Sequence, residues 1–390
     1  MISDIIILGS TGSIGKTTLS IVKKNRKFKV KLLTSKQNIN ELYKQAVLHK
    51  VKNVIIDDEK KYNLYENKFK KKKIKLHLGF KNINKILKNK VTYCINSISG
   101  IEGLEPTLKV IPKTKNILVA NKESIICGWN FIVKKLKKNN TNFIPIDSEH
   151  FSIWQLIKNH KINDVEKIVL TASGGPFFNI PRKKFANISP KFALNHPNWK
   201  MGRKISIDSS TMMNKVFEFI EAKNIFNLKK NKLSILIHPS SFVHAIIYLK
   251  GQLIKFLAHD TNMSIPISYA LGIKKKSKKP NLNLKIKKLN SINFSLPKKS
   301  NYPLISILKF IPDKTSYFET ILITLNDSLV DKYLKGKINY ISIHNNLLYF
   351  INCSYFKKYY KLKPKNIYDI NKMIKITKKY LDFKLKHYVK

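Results

Sequence analysis

Cysteine is nearly absent from this chain. Cys94, Cys127 and Cys353 are far apart and odd in number, which excludes a disulfide framework and a cysteine-based metal pattern and predicts a reducing compartment. Long apolar runs are missing too; none approaches the ~20 residues that span a bilayer. Met1 stands almost directly against the first strand, leaving no room for a signal or transit peptide. A bacterial-type cytoplasm and no membrane partner are expected. Acidic residues are scarce, 23 against 75 Lys and Arg, for a formal net charge of +52. Arginine is scarcer still: Arg26, Arg182 and Arg203. Nucleic-acid surfaces use arginine for bidentate contacts. Here lysines run along the whole chain, densest at 68–75 and 273–280, beside abundant Asn and Ile. That pattern reads as A/T-rich codon drift and solvated lysine faces, with no specific nucleic-acid partner and only weak, salt-erased polyanion binding.

Against so few acids, a cluster stands out. Asp147, Glu149, Asp208, Glu218 and Glu221 all lie in motif-like segments near the middle of the chain.

A chain of 390 residues predicts two or three domains with ample core. Residues 1–146 alternate apolar runs with helical patterns. The strand candidates are Ile5–Leu8, Val30–Leu33, Val54–Asp57, Val91–Ile95, Ile117–Val119 and Phe143–Ile146, the signature of a doubly wound, Rossmann-type parallel sheet. Residues 147–272 hold nearly all the unusual polar chemistry and form a central α/β catalytic domain. Residues 273–300 read as a lysine-rich linker, and 301–390 as a C-terminal helical domain.

The first turn, "GSTGSIGKTT" (Gly9–Thr18), invites two readings. A triphosphate loop needs a glycine at position 10, where Ser10 stands. The alternative spacing, Gly9, Gly12 and Gly15 between a buried strand and a helix, fits a dinucleotide pyrophosphate at a helix N-terminus; a plain tight turn is the bland alternative. After the second strand, where an acid commonly holds the ribose of NAD, stand Ser35, Lys36, Gln37 and Asn38. Loss of the acid and gain of a cation favour the 2′-phosphate of NADPH.

Further motifs follow strand ends. In "NKES" (Asn121–Ser124), Lys122 and Glu123 either pair with each other or face a ligand. In "PIDSEH" (Pro145–His150), Asp147 and Glu149 are two apart; on an extended segment they point the same way, and a divalent cation with oxygen ligands, Mg²⁺ or Mn²⁺, would relieve their repulsion. A capped helix start is the other reading. "TASGGPF" (Thr171–Phe177) offers a hydroxyl and bare amides to an anion. In "HPNWKMGRKISIDSSTMMNKVFEFIEA" (His196–Ala222), Pro197, Trp199 and Gly202 suggest a mobile flap with an aromatic tip. Asp208, Ser209 and Ser210 mark an expected helix start. Ser209, Asn214 and Lys215 suit a phosphate, and Glu218 suits completion of a metal site; Met212 and Met213 are core candidates. "IHPSSFVH" (Ile237–His244) adds His238 and His244, each either functional or an interior hydrogen-bonded histidine.

These motifs occur in order and at fitting separations, and over about residues 2–272 they resemble the 1-deoxy-D-xylulose 5-phosphate reductoisomerase family. The resemblance implies an NADPH-dependent oxidoreductase of the methylerythritol phosphate route to isoprenoids, which rearranges and reduces this sugar phosphate to 2-C-methyl-D-erythritol 4-phosphate. It assigns NADPH to Thr11, Gly12, Ser13, Ile14, Asn38, Asn121, Glu123 and Gly202. It assigns Mg²⁺ or Mn²⁺ to Asp147, Glu149 and Glu218. Substrate contacts fall to Lys122, Ser148, Glu149 and Glu218, its phosphate to Ser173, Ser209, Asn214 and Lys215, and the closing flap to His196 and Trp199. Lys122, Asp147, Glu149, His196 and Glu218 are its catalytic set, and the family forms homodimers. At 36–37 the chain has Lys-Gln where the family has a glycine and then a basic residue, and "TLNDSLVDKYL" departs from the alanine-rich family pattern. The competing reading is an aspartate-semialdehyde-dehydrogenase-like oxidoreductase, which opens on similar glycines and needs a nucleophilic cysteine.

Overall fold

Ile5–Leu8 are fully closed off from solvent, as a run apolar on both faces must be at the centre of a sheet covered on both sides. The computed structural model describes residues 2–178, 180–181, 184–185, 188–199, 201–273 and 282–388. By internal contacts it divides into two compact units.

The first unit takes Met1–Phe151 and Met263–Lys276. Its strands are β1 (Ser3–Leu8), β2 (Phe28–Ser35), β3 (Asn53–Ile56), β4 (Lys75–Leu78), β5 (Val91–Asn96), β6 (Thr114–Val119) and β7 (Asn142–Pro145). They pair in parallel in the order β4-β3-β2-β1-β5-β6-β7. The order reverses between β1 and β5, the switch point where open α/β sheets leave a crevice at the carboxyl ends of their strands. Leu19 and Val22 of the helix Ser13–Lys23, and Ile267 and Leu271 of the segment Met263–Lys276, pack into one core with Ile5, Leu33 and Ile95.

The second unit takes Ser152–Asn262 and Ser277–Lys390. Its sheet runs β11 (Leu253–Ala258), β10 (Val243–Leu249), β8 (Val165–Ala172) and β9 (Leu233–Ile237). The strand β10 is antiparallel to β8 and β11, while β8 and β9 are parallel. Helices Arg203–Ser210 and Met213–Ile225 precede β9, and Tyr317–Leu334, Tyr340–Asn352 and Ile367–Tyr388 close the chain. Tyr340 anchors these last helices: its ring meets Phe177, Phe185 and Tyr333 edge-on, at centroid separations of 5.2, 5.7 and 5.7 Å. No helix among the described residues is long and apolar enough to cross a membrane.

Several details correct the sequence reading. The strand β4 was not expected, because Lys75 follows a lysine run and its short apolar pattern is weak. Asp208–Ser210 end a helix instead of starting one: Gly202 is the N-cap of Arg203–Ser210, and Met212, at φ 68°, breaks the chain before Met213–Ile225. Asp147–Glu149 is not extended, since Ser148–Ile157 is helical. Part of the expected linker, Leu282–Asn290, is a helix; residues 274–281 of that segment lie outside the described ones. Lys200 of the expected flap also lies outside them.

Candidate active site

In the first unit the glycine turn sits at the end of β1. Gly9 has φ +75°, and a Cβ there would come within 2.8 Å of the Ser97 carbonyl oxygen, so only glycine lets β1 and the loop after β5 approach this closely. Gly12 is the N-cap of Ser13–Lys23 and brings no side-chain cap. The amides of Ser13 and Ile14 therefore open the helix, where the positive end of its dipole suits a pyrophosphate. Thr11 and Gly12 line a cleft of about 240 Å³ with Ser35, Lys36, Ser97 and Glu102. Thr11 Oγ1 meets Ser35 Oγ at 3.0 Å, and that oxygen accepts from Asn38 N at 3.1 Å. Asn38 Oδ1 caps the next helix by accepting from Glu41 N. Lys36, the cation expected to face a 2′-phosphate, lies 2.6 Å from Glu102 Oε2.

Asn121 caps the helix Lys122–Asn139, accepting from Ser124 N at 2.7 Å, and its Nδ2 donates to the carbonyls of Ile98 and Gly100. It also reaches Glu123 Oε2 at 3.2 Å. One side chain thus fixes the loop after β5 against the helix that carries Lys122 and Glu123, both buried.

Asp147 stands two residues past the end of β7 and caps Ser148–Ile157: its carbonyl accepts from Phe151 N, and its Oδ1 from Glu149 N at 3.2 Å. Its Oδ2 pairs with Lys122 Nζ, and His150 Nδ1 stands 3.3 Å from Oδ1. Burial pushes this carboxyl up, but the Lys122 ammonium and His150 outweigh it and hold Asp147 well below the usual carboxylate range. Ser148 Oγ bonds Glu149 Oε2 at 2.5 Å. His150, fully buried, is a neighbour the sequence reading left unassigned; its place one turn after Asp147 on a capped helix was the available signal.

In the second unit, His196 Nδ1 accepts from the amides of Asn198 and Trp199 at 3.1 and 3.0 Å. Its Nε2 therefore carries the proton and donates to Ser173 Oγ at 3.0 Å. Burial lowers the His196 pKa to about 4, so the ring stays neutral at ordinary pH. Ser173 Oγ also accepts from Gly175 N at 3.0 Å. With both acceptor positions used, the Ser173 hydroxyl proton is left to donate to an anion. Asn198 was also missed: its Nδ2 donates to Pro239 O at 2.6 Å and Ser241 Oγ at 3.1 Å, fastening the segment that carries Trp199. Trp199 meets His244 edge-on at 6.1 Å.

On Met213–Ile225, Asn214 Nδ2 donates to one oxygen of Glu218 and Lys215 Nζ pairs with the other. The three expected neighbours on this helix do meet, and Lys215 and Glu218 are buried. Ser209 is partly exposed at the end of the preceding helix. Met212 and Met213 are core. His238 bonds Asn293 O and Ser240 Oγ, and His244 Nε2 meets His259 O, the interior arrangement that was one of the two readings. Cys94 and Cys127 are buried, and burial pushes the Cys94 thiol up, away from reactivity.

Family models described as 1-deoxy-D-xylulose 5-phosphate reductoisomerase, its C-terminal domain, and the DXP reductoisomerase C-terminal domain match residues 5–128, 143–226 and 259–380. A 1-deoxy-D-xylulose 5-phosphate reductoisomerase from Pelagibacter ubique (strain HTCC1062) is 50% identical over 95% of this chain and 96% of its own length. One from Persephonella marina (strain DSM 14350 / EX-H1) is 36% identical over 96% and 95%. Among solved structures, a DOX-P reductoisomerase in complex with NADPH, fosmidomycin and magnesium superposes with a TM-score of 0.89 at 28% identity, covering 99% of this chain and 98% of that one. The enzyme from Zymomonas mobilis in complex with NADPH gives 0.85 at 26%, covering 98% of each.

Proposed function

Because the chain belongs to the 1-deoxy-D-xylulose 5-phosphate reductoisomerase family, we propose that it catalyses the NADPH-dependent rearrangement and reduction of that sugar phosphate to 2-C-methyl-D-erythritol 4-phosphate in the methylerythritol phosphate route, with Mg²⁺ or Mn²⁺. The geometric observation that supports this reading is a group of donors within one unit. His196 Nε2 and Gly175 N occupy the acceptor positions of Ser173 Oγ and leave its proton to donate, and Asn214 and Lys215 lie together on one helix.

Asp147, Glu149 and Glu218 are the proposed metal ligands. The donor set fits: hard, oxygen-only, and with Asp147 kept ionised by Lys122 and His150. When bound, the cation supplies Lewis-acid charge to the ketone oxygen and neighbouring hydroxyl, and NADPH supplies the hydride for the reduction. The chain's own residues do the rest. The uncapped amides of Ser13 and Ile14, with Thr11 and Gly12, seat the pyrophosphate; Asn38 supports the ribose side; Asn121, Glu123 and Gly202 border the nicotinamide side. Lys122 and Ser148 orient the sugar at its reacting carbons. Ser173, Ser209, Asn214 and Lys215 hold the phosphate away from those carbons, so that binding energy is spent on orientation. His196 stays neutral and sets the Ser173 donor, and Trp199 closes the site against water.

In this reading 1–146 carries the dinucleotide, 147–272 the metal and substrate, 273–300 is a connecting segment, and 301–390 is a helical buttress. A homodimer is supported by the apolar edge of the second sheet, where Leu253, Ile254 and Phe256 of β11 are exposed. Three free cysteines fit a reducing cytoplasm. The semialdehyde-dehydrogenase-like alternative is disfavoured by buried Cys94 and Cys127. Purified chain with NADPH, Mg²⁺ and the sugar phosphate should lose NADPH absorbance; folded protein that oxidises no cofactor under these conditions rejects the reading.

A further inference from the structure

Ser209 is partly exposed, while its neighbours Ser206, Ile207, Asp208 and Ser210 on the helix Arg203–Ser210 are buried. On so short a helix, whatever holds the residues on either side of Ser209 sets the rotation of the helix about its axis, and hence where Ser209 points.

Both neighbours are held from the C-terminal helices. Asn326 Nδ2, on Tyr317–Leu334, donates to Asp208 Oδ1 at 2.7 Å, across 118 positions of sequence. Lys204 Nζ lies 3.4 Å from the other Asp208 oxygen and 2.8 Å from Asp327 Oδ1. Ser210 Oγ donates to Ile207 O at 2.8 Å, so the Tyr340 hydroxyl, 3.1 Å away, is the donor to Ser210. The same Tyr340 ring packs edge-on against Phe177, in the segment that carries Ser173. Gly175 of that segment sits so near that a Cβ would lie 2.9 Å from Ser210 Cα. An apolar pair of matching shape at 208 and 326 would pack with little loss of stability. A directional, charge-assisted hydrogen bond fixes one rotational setting, which apolar packing does not.

We propose that Asn326 and Tyr340 are positioning residues for the phosphate end of the site, holding Ser209 and the Ser173 loop in register. The proposal rests on the reading that these serines receive the substrate phosphate. Asn326→Asp sets a second carboxylate against Asp208. It should raise KM for the sugar phosphate about tenfold or more while kcat stays within about threefold, and KM for NADPH should not change. Asp208→Asn combined with Asn326→Asp exchanges donor and acceptor and should bring KM back to within about threefold of wild type. Should Asn326→Asp fail to fold, Tyr340→Phe keeps the ring and loses only the hydroxyl, and KM should rise by about threefold or more. Affinity for inorganic phosphate, read as ligand-induced thermal stabilisation, should fall in step in the same variants. A lowered melting temperature with unchanged KM and unchanged phosphate affinity overturns the proposal, as does an exchange variant that recovers nothing. If the wild-type chain turns over no sugar phosphate, the functional reading fails instead, and the phosphate affinities still decide the positioning role.

Discussion

Glu319 is a carboxylic acid with no solvent exposure, at the third position of the helix Tyr317–Leu334. It completes a capping box, accepting from Ser316 N at 3.0 Å. Burial raises its pKa from 4.5 to about 7, against smaller lowering effects from Ser316 and Lys223. A raised folded-state pKa means that the fold prefers the protonated acid. Its stabilisation is complete below the unfolded value of 4.5 and is lost as pH rises through about 7. The gap corresponds to about 3 kcal/mol from this one group. Glu319→Gln keeps an acceptor for Ser316 and removes the titration. In urea unfolding at a series of pH values, the stability of Glu319→Gln relative to wild type should therefore climb by about 3 kcal/mol between pH ~4.5 and ~8. A difference that stays flat across that range would refute the reasoning, because the carboxyl would then be ionised in the fold at no cost.

Trp199→Ala should raise KM for the sugar phosphate or slow turnover by roughly tenfold, since an open flap admits water; steady-state kinetics at saturating NADPH read this, and unchanged constants would remove the flap role. With a pKa near 4, His196 should show no ring titration by NMR from pH 8 down to about 5, and a midpoint near 6.5 would contradict the Nδ1-acceptor arrangement. Thiol alkylation of the native chain should leave turnover intact, because Cys94 and Cys127 are buried and the partly exposed Cys353 stands at the end of the helix Tyr340–Asn352, outside the proposed site residues; loss of activity would revive a cysteine nucleophile.

The parts of the fold written in local sequence were legible. "DIIIL" followed by Gly9, Gly12 and Gly15 declared strand, turn and helix within a few residues, and the apolar runs gave six of the seven strands of the parallel sheet. The strand β4 escaped because lysines border a weak apolar pattern. The break at Met212 escaped because nothing in "DSSTMMNK" marks a left-handed residue; its φ is set by the packing of two helices. For Asp147 and Glu149 the sequence left two readings, an extended pair or a capped helix start; the structure shows the second, and a cap and a first-turn residue still bring the two carboxylates together. Asn214, Lys215 and Glu218 were legible because i, i+3 and i+4 spacing puts them on one face. The bond from Asn326 to Asp208 had no sequence signal at all: its partners are 118 residues apart, in a run whose departure from the family pattern pointed away from the site.

The central claim is that Asp147, Glu149 and Glu218 share one divalent cation. Mn²⁺ titration followed by electron paramagnetic resonance tests it most directly. The account predicts one bound ion per chain, displaced by Mg²⁺, lost in Glu218→Gln and in Asp147→Asn, with NADPH binding unchanged in both variants. Undiminished Mn²⁺ binding in either variant would contradict it.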